Sequence, residues 1–202
     1  MATGMQRATG WKESGRQADD FYSTPEWAIN ALLDKEEFKG QIWEPASGDG
    51  AISKILEARG LSVFSSDLRT EGVYGEGGKD FLKEKREGID AIITNPPFKL
   101  ALPFILHGLN QSNKVAIFGR IQLLEGLERH ERLWSKNPPK AVYVFSGRCS
   151  CLKDGRKVEA GLMCFAWFVW EKGGENSEPV IRWILPPSLK SKKIDSAQSI
   201  LS

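Results

Sequence analysis

Short apolar runs bounded by Gly, Pro, Asp and Ser recur along the chain and alternate with amphipathic stretches. This is the pattern of a layered α/β domain with a largely parallel sheet. QIWEP at 41–45, LSVFSSDL at 61–68, IDAIITNPP at 89–97, KVAIFGR at 114–120 and AVYVFSGR at 141–148 all have strand length. They predict strands one, two, four, five and six, with strand three a short piece just before Asp80. GLMCFAWFVWE at 161–171 is too apolar for a surface helix and rich in β-favouring aromatics, so it predicts the last strand, buried on both faces. AISKILEARG at 51–60 places Ile52, Ile55 and Leu56 on one helical face and stops at Gly60, a C-terminal cap signal. STPEWAINALLDK at 23–35 predicts a helix capped by Thr24, with Pro25 at its first position. No internal repeat or long linker is visible, so residues 19–186 read as one domain. Residues 1–18 and 187–202, the latter containing SLKSKK, read as mobile ends.

Charge and cysteine content narrow the picture. The net charge is only +2, but residues 120–157 hold nine Lys/Arg against four Asp/Glu, which is +5 for this segment and −3 for the remainder. A local basic surface fits a polyanionic partner, and a solvated helical face fits the same count. Cys149, Cys151 and Cys164 are an odd number with no second close pair, and His107 and His130 are the only histidines. That excludes a secreted disulfide framework and gives no zinc-ligand spacing, so a reducing cytoplasm and no metal are expected. The first twenty residues contain no apolar run of signal or membrane-span length, so no membrane association is expected.

The chemistry is concentrated in the segments that follow the strands. WEPASGDGAI at 43–52 leaves strand one and opens a helix, with Gly48 and Gly50 around Asp49. Glycines there let backbone approach a ligand closely, and a helix N-terminus offers unpaired amides. The loop is neither Gly-x-Gly-x-x-Gly nor a phosphate loop ending Gly-Lys-Ser/Thr. Acidic Glu44 and Asp49 in place of basic residues point to a nucleotide-like ligand without phosphate. Strand two ends at Asp67, where a carboxylate can accept hydrogen bonds from both ribose hydroxyls. KDFLKE then offers Asp80 as an acceptor for an adenine amine, with Phe81 as an aromatic wall. After strand four comes Asn95-Pro96-Pro97-Phe98, a stiff turn that fixes the direction of its side chains.

Taken in order, FYSTPEW, EPASGDG, SDL, DFL and TNPPF resemble the motifs of S-adenosylmethionine-dependent amino-methyltransferases. The resemblance is specifically to the small phage-type DNA adenine-N6 methyltransferases, over about residues 21–170. The resemblance implies a Rossmann-like class I methyltransferase fold, a seven-stranded mostly parallel sheet in the order 3-2-1-4-5-7-6 with helices on both faces. It implies S-adenosylmethionine as methyl donor, held by Tyr22, Thr24, Glu44, Ala46, Gly48, Asp49, Gly50, Asp67, Leu68, Asp80, Phe81 and Asn95. It implies DNA as substrate, in a bacterial cell or a phage-infected host. Oligomeric state, monomer or homodimer, is left open. Ser47 stands where relatives often carry Cys.

The chemistry implied for the turn follows from the amine. The exocyclic nitrogen of adenine is a poor nucleophile because its lone pair is delocalised into the ring. Acceptors on its hydrogens, the Asn95 side-chain oxygen and the Pro96 carbonyl, draw the pair back toward the methyl donor, and Pro97 stiffens their placement. Phe98 would stack on a base flipped out of the helix. Only about fourteen residues separate Asp80 from Asn95, which leaves no room for a separate target-recognition domain and implies short or relaxed sequence preference. DNA contacts are expected from Lys99, Arg120, Arg129, Arg132, Arg148, Lys153, Arg156 and Lys157, with Lys136 and Lys140 in the same basic segment. Ribosomal RNA guanine-N2 and protein glutamine methyltransferases use the same kind of turn. Cytosine-N4 enzymes usually carry Ser in place of Asn95. An inactive nucleic-acid-binding relative is a further alternative.

Overall fold

The computed structural model describes residues 22–147, 149, 152–153, 156–157, 164–173 and 178–187, with backbone alone for 152–153 and 156–157. The segments 1–18 and 188–202 lie outside the described residues.

The main sheet contains β1 (Gln41–Glu44), β2 (Ser62–Ser65), β3 (Ala91–Thr94), β4 (Lys114–Arg120), β5 (Ala141–Phe145), β8 (Phe165–Glu171) and β9 (Val180–Ile184). Their order across the sheet is β2-β1-β3-β4-β8-β5-β9, while β6 (Leu152–Lys153) and β7 (Arg156–Lys157) pair apart as a small hairpin. β8 runs antiparallel to both β4 and β5, and the other pairings of the main sheet are parallel.

Successive side chains face opposite sides of the sheet as the pleat requires, and helices cover both faces, so the central strands are buried along nearly their whole length. Ile42, Ile93, Ala116 and Phe118 face α1 (Glu26–Leu33) and α2 (Ala51–Ala58), which contribute Ile29, Leu32, Ile52 and Leu56. Trp43, Ile92, Val115 and Ile117 face the opposite way, where α3 (Ala101–Gln111) contributes Leu102 and Ile105. The periodicity read at Ile52, Ile55 and Leu56 is the one that forms, and Gly60 carries the positive φ expected beyond the helix.

Three expectations need correction. Strand three does not form; an isolated bridge between Ser66 and Glu76 stands in its place. The segment EGVYGEGG puts Gly72, Gly75 and Gly78 at positive φ, which a strand cannot accommodate. The Trp-rich β8 is not the last strand, because β9 adds beyond β5 at the far edge. Thr24 does not cap α1: Pro25 is the N-cap residue, with no side-chain cap bond, and the Thr24 hydroxyl is engaged elsewhere.

Candidate functional site

β2, β1, β3 and β4 run parallel, so their carboxyl ends share one edge of the sheet. From β1 the chain passes to β2 on one side, and β3 lies on the other. The order therefore reverses at β1/β3, the position where open α/β sheets form a ligand crevice. Glu44, Asp67, Asn95 and Arg120 all stand at this edge.

In the loop after β1, carboxyl oxygens take the backbone amides. Gly48 N–H donates to Asp67 Oδ2 at 2.8 Å, Ala51 N–H to Asp49 Oδ1 at 3.1 Å and Ser53 N–H to Glu44 Oε2 at 2.8 Å. Gly50 has φ +79, and a Cβ there would lie 2.5 Å from the Tyr74 ring, so only glycine fits beneath this tyrosine. Tyr74 is held in turn by its N–H to Gly48 O and its hydroxyl to Glu57. Glu44 is buried, and its carboxyl also pairs with the Ser53 hydroxyl, which shares a 2.6 Å bond with Ser65 Oγ. Burial pushes Glu44 well above the ordinary carboxylate value, and the neighbouring Asp49 and Asp67 carboxylates push the same way against the Ser53 bonds. The sequence places Glu44 among ligand contacts; the structure turns it inward to hold the start of α2. Nothing in the chain pattern announces that Ser53 and Ser65 meet it.

Asp67, 7% exposed, also accepts from Arg69 N–H at 2.9 Å and lies 3.3 Å from Arg69 Nε. Leu68, next in sequence, is 63% exposed and offers an apolar surface at the end of β2. Asp80 is partly exposed; the Lys83 ammonium 2.9 Å away holds its carboxyl below the ordinary value. Phe81 is a correction. Its ring is 2% exposed and packs against Trp43, Phe104 and His107 with centroids 4.8–4.9 Å apart, so it belongs to the core and offers no wall to a ligand.

At the turn after β3, Asn95 Nδ2 donates to Tyr22 O at 2.8 Å and to Thr24 Oγ1 at 3.0 Å. Both amide hydrogens have acceptors, which leaves Oδ1 as the group's remaining hydrogen-bonding atom. The residues that hold Asn95 lead directly into α1, and Trp167 Nε1 on β8 anchors α1 through Ala28 O at 2.8 Å. Phe98 is half-buried beside Tyr22, with centroids 6.0 Å apart and planes at 22°, and beside Phe165 at 5.9 Å. The Arg120 guanidinium carbon lies 4.0 Å from the Phe98 ring centroid.

The basic residues separate into groups. Lys99 and Arg120 adjoin the turn. Arg129 donates back to Glu125 O and Gln122 O, bracing the loop at Gly126, and Arg132 pairs with Glu128. Lys136 is exposed on the turn that follows. Lys140 precedes β5 at the opposite edge of the sheet and is paired there with Glu171 and Glu36, so the structure removes it from the expected surface. Arg148 and the side chains of Lys153, Arg156 and Lys157 lie outside the described residues. Among the described residues no group of three or more His, Cys, Asp or Glu could hold a metal ion, and no helix is long and apolar enough to cross a membrane.

No protein-family model matches the chain, and no curated protein matches it in sequence. Solved structures do match. A modification subunit assigned to a type I restriction enzyme of Vibrio vulnificus superposes with a TM-score of 0.54 at 14% identity, over 84% of this chain. The chain spans about half of that subunit, 49% of its length. A protein of Pyrococcus horikoshii assigned as an RNA methyltransferase gives 0.55 at 14% identity, over 75% of this chain and 86% of that one. The 23S rRNA methyltransferase ErmE gives 0.51 at 11% identity, over 79% of this chain and 71% of that one. The chain has the Rossmann-like class I methyltransferase fold. The expected strand order is met along β2-β1-β3-β4-β8-β5, and β9 takes the seventh place at the other edge from the missing strand three.

The loop chemistry of this methyltransferase fold fits S-adenosylmethionine and disfavours a phosphate-bearing cofactor. Where a dinucleotide fold offers amides to a pyrophosphate, three of the loop's amides here already point at carboxyl oxygens. A phosphate would meet both the missing donors and the acidic groups. Asp67 and Asp80 are acceptors that would suit the hydroxyls and the amine of an adenosine.

Proposed function

We propose that the protein transfers a methyl group from S-adenosylmethionine to the exocyclic N6 amine of adenine in DNA, with short or relaxed sequence preference. The observation that carries this reading is the Asn95 amide, whose hydrogens are bound by Tyr22 O and Thr24 Oγ1 so that its oxygen is left to accept.

S-adenosylmethionine, when bound, supplies the electrophilic methyl group. Asp67 would hold its ribose, Leu68 would cover one face of its adenine, Asp80 would accept from the adenine amine, and Tyr22 and Thr24 would border its methionine part. Asn95 Oδ1 and the Pro96 carbonyl accept the two hydrogens of the substrate amine. This concentrates the lone pair on nitrogen and stabilises the positive charge that grows there on attack. The prolines limit motion of both acceptors, so little reorganisation accompanies the step. After transfer a proton leaves the cationic nitrogen, and a hydrogen-bonded acceptor with access to water suffices for that. Phe98 supplies the face for an extruded base, and Lys99 and Arg120 supply positive charge beside it.

RNA as substrate is a second reading, favoured by the likeness to the Pyrococcus protein and to ErmE. The two are separated by offering purified protein labelled S-adenosylmethionine with unmethylated duplex DNA, structured RNA and protein extract in parallel, followed by nucleoside analysis. N6-methyladenine in DNA is the expected product. Label confined to RNA or protein would overturn the substrate while keeping the amine chemistry.

A further inference from the structure

Arg120 is the terminal residue of β4 and pairs in register with Phe165, which places it at the reactive edge. Among the described residues its side chain has no hydrogen-bond or ion-pair partner. Its Nε is buried without an acceptor, and the guanidinium lies over the Phe98 ring. Arg129, Arg132 and Lys140 of the same segment differ, since each has oxygen partners. A guanidinium normally finds a carboxylate, a carbonyl or water, and a buried donor left without one is an unfavourable state that a ligand can relieve.

Phe98 is the aromatic ring that the proposed reaction needs exposed. Tyr22 and Phe165 sit beside it as parts of the packed interior, whereas Arg120 is held on it by no hydrogen bond. At 4.0 Å there is no room for a base between ring and guanidinium. A planar base that stacks on this face must move Arg120 aside, and of the acceptors a displaced guanidinium can take, a phosphate is the one that adds charge pairing and a bidentate fit.

Resting on the methyltransferase reading above, we propose that Arg120 occupies the base-stacking face of Phe98 while the site is empty. When the target base enters, Arg120 transfers to the phosphate of that nucleotide. The exchange selects the substrate class. A nucleotide within a strand brings both a planar ring for Phe98 and a phosphate for Arg120. A free nucleobase brings only the ring, and a glutamine side chain brings neither. The cation therefore favours an amine carried on a phosphate backbone and couples base entry to backbone binding.

The test compares wild type, Arg120→Gln and Arg120→Lys for equilibrium binding to an adenine-containing duplex across a salt series, and for KM and kcat of methyl transfer to it. The glutamine variant should raise KM about 10-fold with little change in kcat, and flatten the log–log salt dependence of binding by about one phosphate contact. The lysine variant should restore the salt dependence, because it keeps the charge. S-adenosylmethionine affinity should be unchanged in both, which separates the effect from misfolding. An unchanged KM and salt slope in Arg120→Gln, or a lowered KM showing that Arg120 merely obstructs the site, would overturn the exchange. Wild type that labels DNA while Arg120→Gln matches it sinks this inference alone. Wild type that labels only protein sinks the functional reading and the inference together.

Discussion

The two edges of the sheet carry charged groups of the same kinds in opposite conditions. At the amino edge Glu36 is a hub: Lys114 Nζ lies 2.6 Å from it, the Tyr143 hydroxyl 2.6 Å and Lys140 Nζ 3.1 Å. Lys114 also donates to Glu37 O, and Lys140 pairs with Glu171 at 2.6 Å. Each of these charges has a partner within the fold. At the carboxyl edge the carboxyl groups face backbone amides, Asn95 has an amide oxygen left to accept, and Arg120 rests on an aromatic ring with a buried donor unsatisfied. One edge is complete without a ligand. The other is arranged so that a ligand completes it.

The sharpest way to break this contrast is to remove one group from each edge. Asn95→Ala should lower methyl transfer on the order of 100- to 1,000-fold, as loss of one transition-state hydrogen bond does, with S-adenosylmethionine affinity nearly intact. Its stability cost should be only about 1 kcal/mol, for the lost bonds to Tyr22 and Thr24. Single-turnover kinetics with a calorimetric titration of the cofactor would check both; full activity in the variant would remove Asn95 from the mechanism.

Glu36→Ala should do the reverse. It takes from Lys114, a largely buried ammonium, its 2.6 Å carboxylate partner and leaves Glu171 at 3.7 Å, and the expected loss is about 3 kcal/mol of unfolding free energy. The nearly half-exposed Lys140–Glu171 pair keeps the effect at the low end of that range. Turnover by the protein that remains folded should be unchanged. A urea titration alongside the activity assay decides the matter, and a large drop in turnover of folded protein would contradict the division between the edges.

A smaller effect distinguishes the edges by pH. Burial alone would raise Glu36, but the hydrogen bonds from Lys114, Tyr143 and Lys140 together outweigh it and hold the carboxyl below its ordinary 4.5. Its stabilisation is therefore complete above that value and is lost as pH falls through the depressed folded value. Glu44 is raised, so the sign reverses: the fold binds its proton more tightly than the unfolded chain, and the contribution fades as pH rises from the ordinary 4.5 through the raised value. Glu44→Gln, which keeps the shape of the protonated acid, should remove this decline. Its stability relative to wild type should improve steadily as pH rises through that window. A pH-independent difference in denaturation midpoint would show that Glu44 does not titrate as its burial requires.

Most of the sheet and much of the site are legible in the chain because they rest on local rules. Short apolar runs gave six strands, the Ile52–Leu56 face gave α2, and the Pro-Pro turn marked the end of β3. The failures have equally specific causes. EGVYGEGG resembles a strand only if its glycines take ordinary φ values, and three of them do not. β9 is a mostly exposed edge strand in which Arg182 interrupts the apolar run, unlike the uninterrupted runs of the central strands. The signal available was the β-favouring run itself between Pro179 and Pro186. Phe81 was misplaced because an aromatic beside an acid looks the same in sequence whether its ring points to the crevice or, as here, toward Trp43 and Phe104.

By itself the sequence determined the α/β layering, the positions at which strands end and the presence there of Glu44, Asp67, Asn95 and Phe98, because these follow from side-chain periodicity and from backbone limits at Gly and Pro. Only the tertiary structure decided which of those groups turn inward and which are left to accept a ligand. Glu44 meets Ser53 and Ser65, Asn95 meets Tyr22 and Thr24 across more than seventy residues, and Arg120 reaches Phe98 from the next strand. A hydrogen bond or a stacked cation depends on distances of a few ångströms between segments far apart in the chain, and strand order and register, rather than local pattern, set those distances.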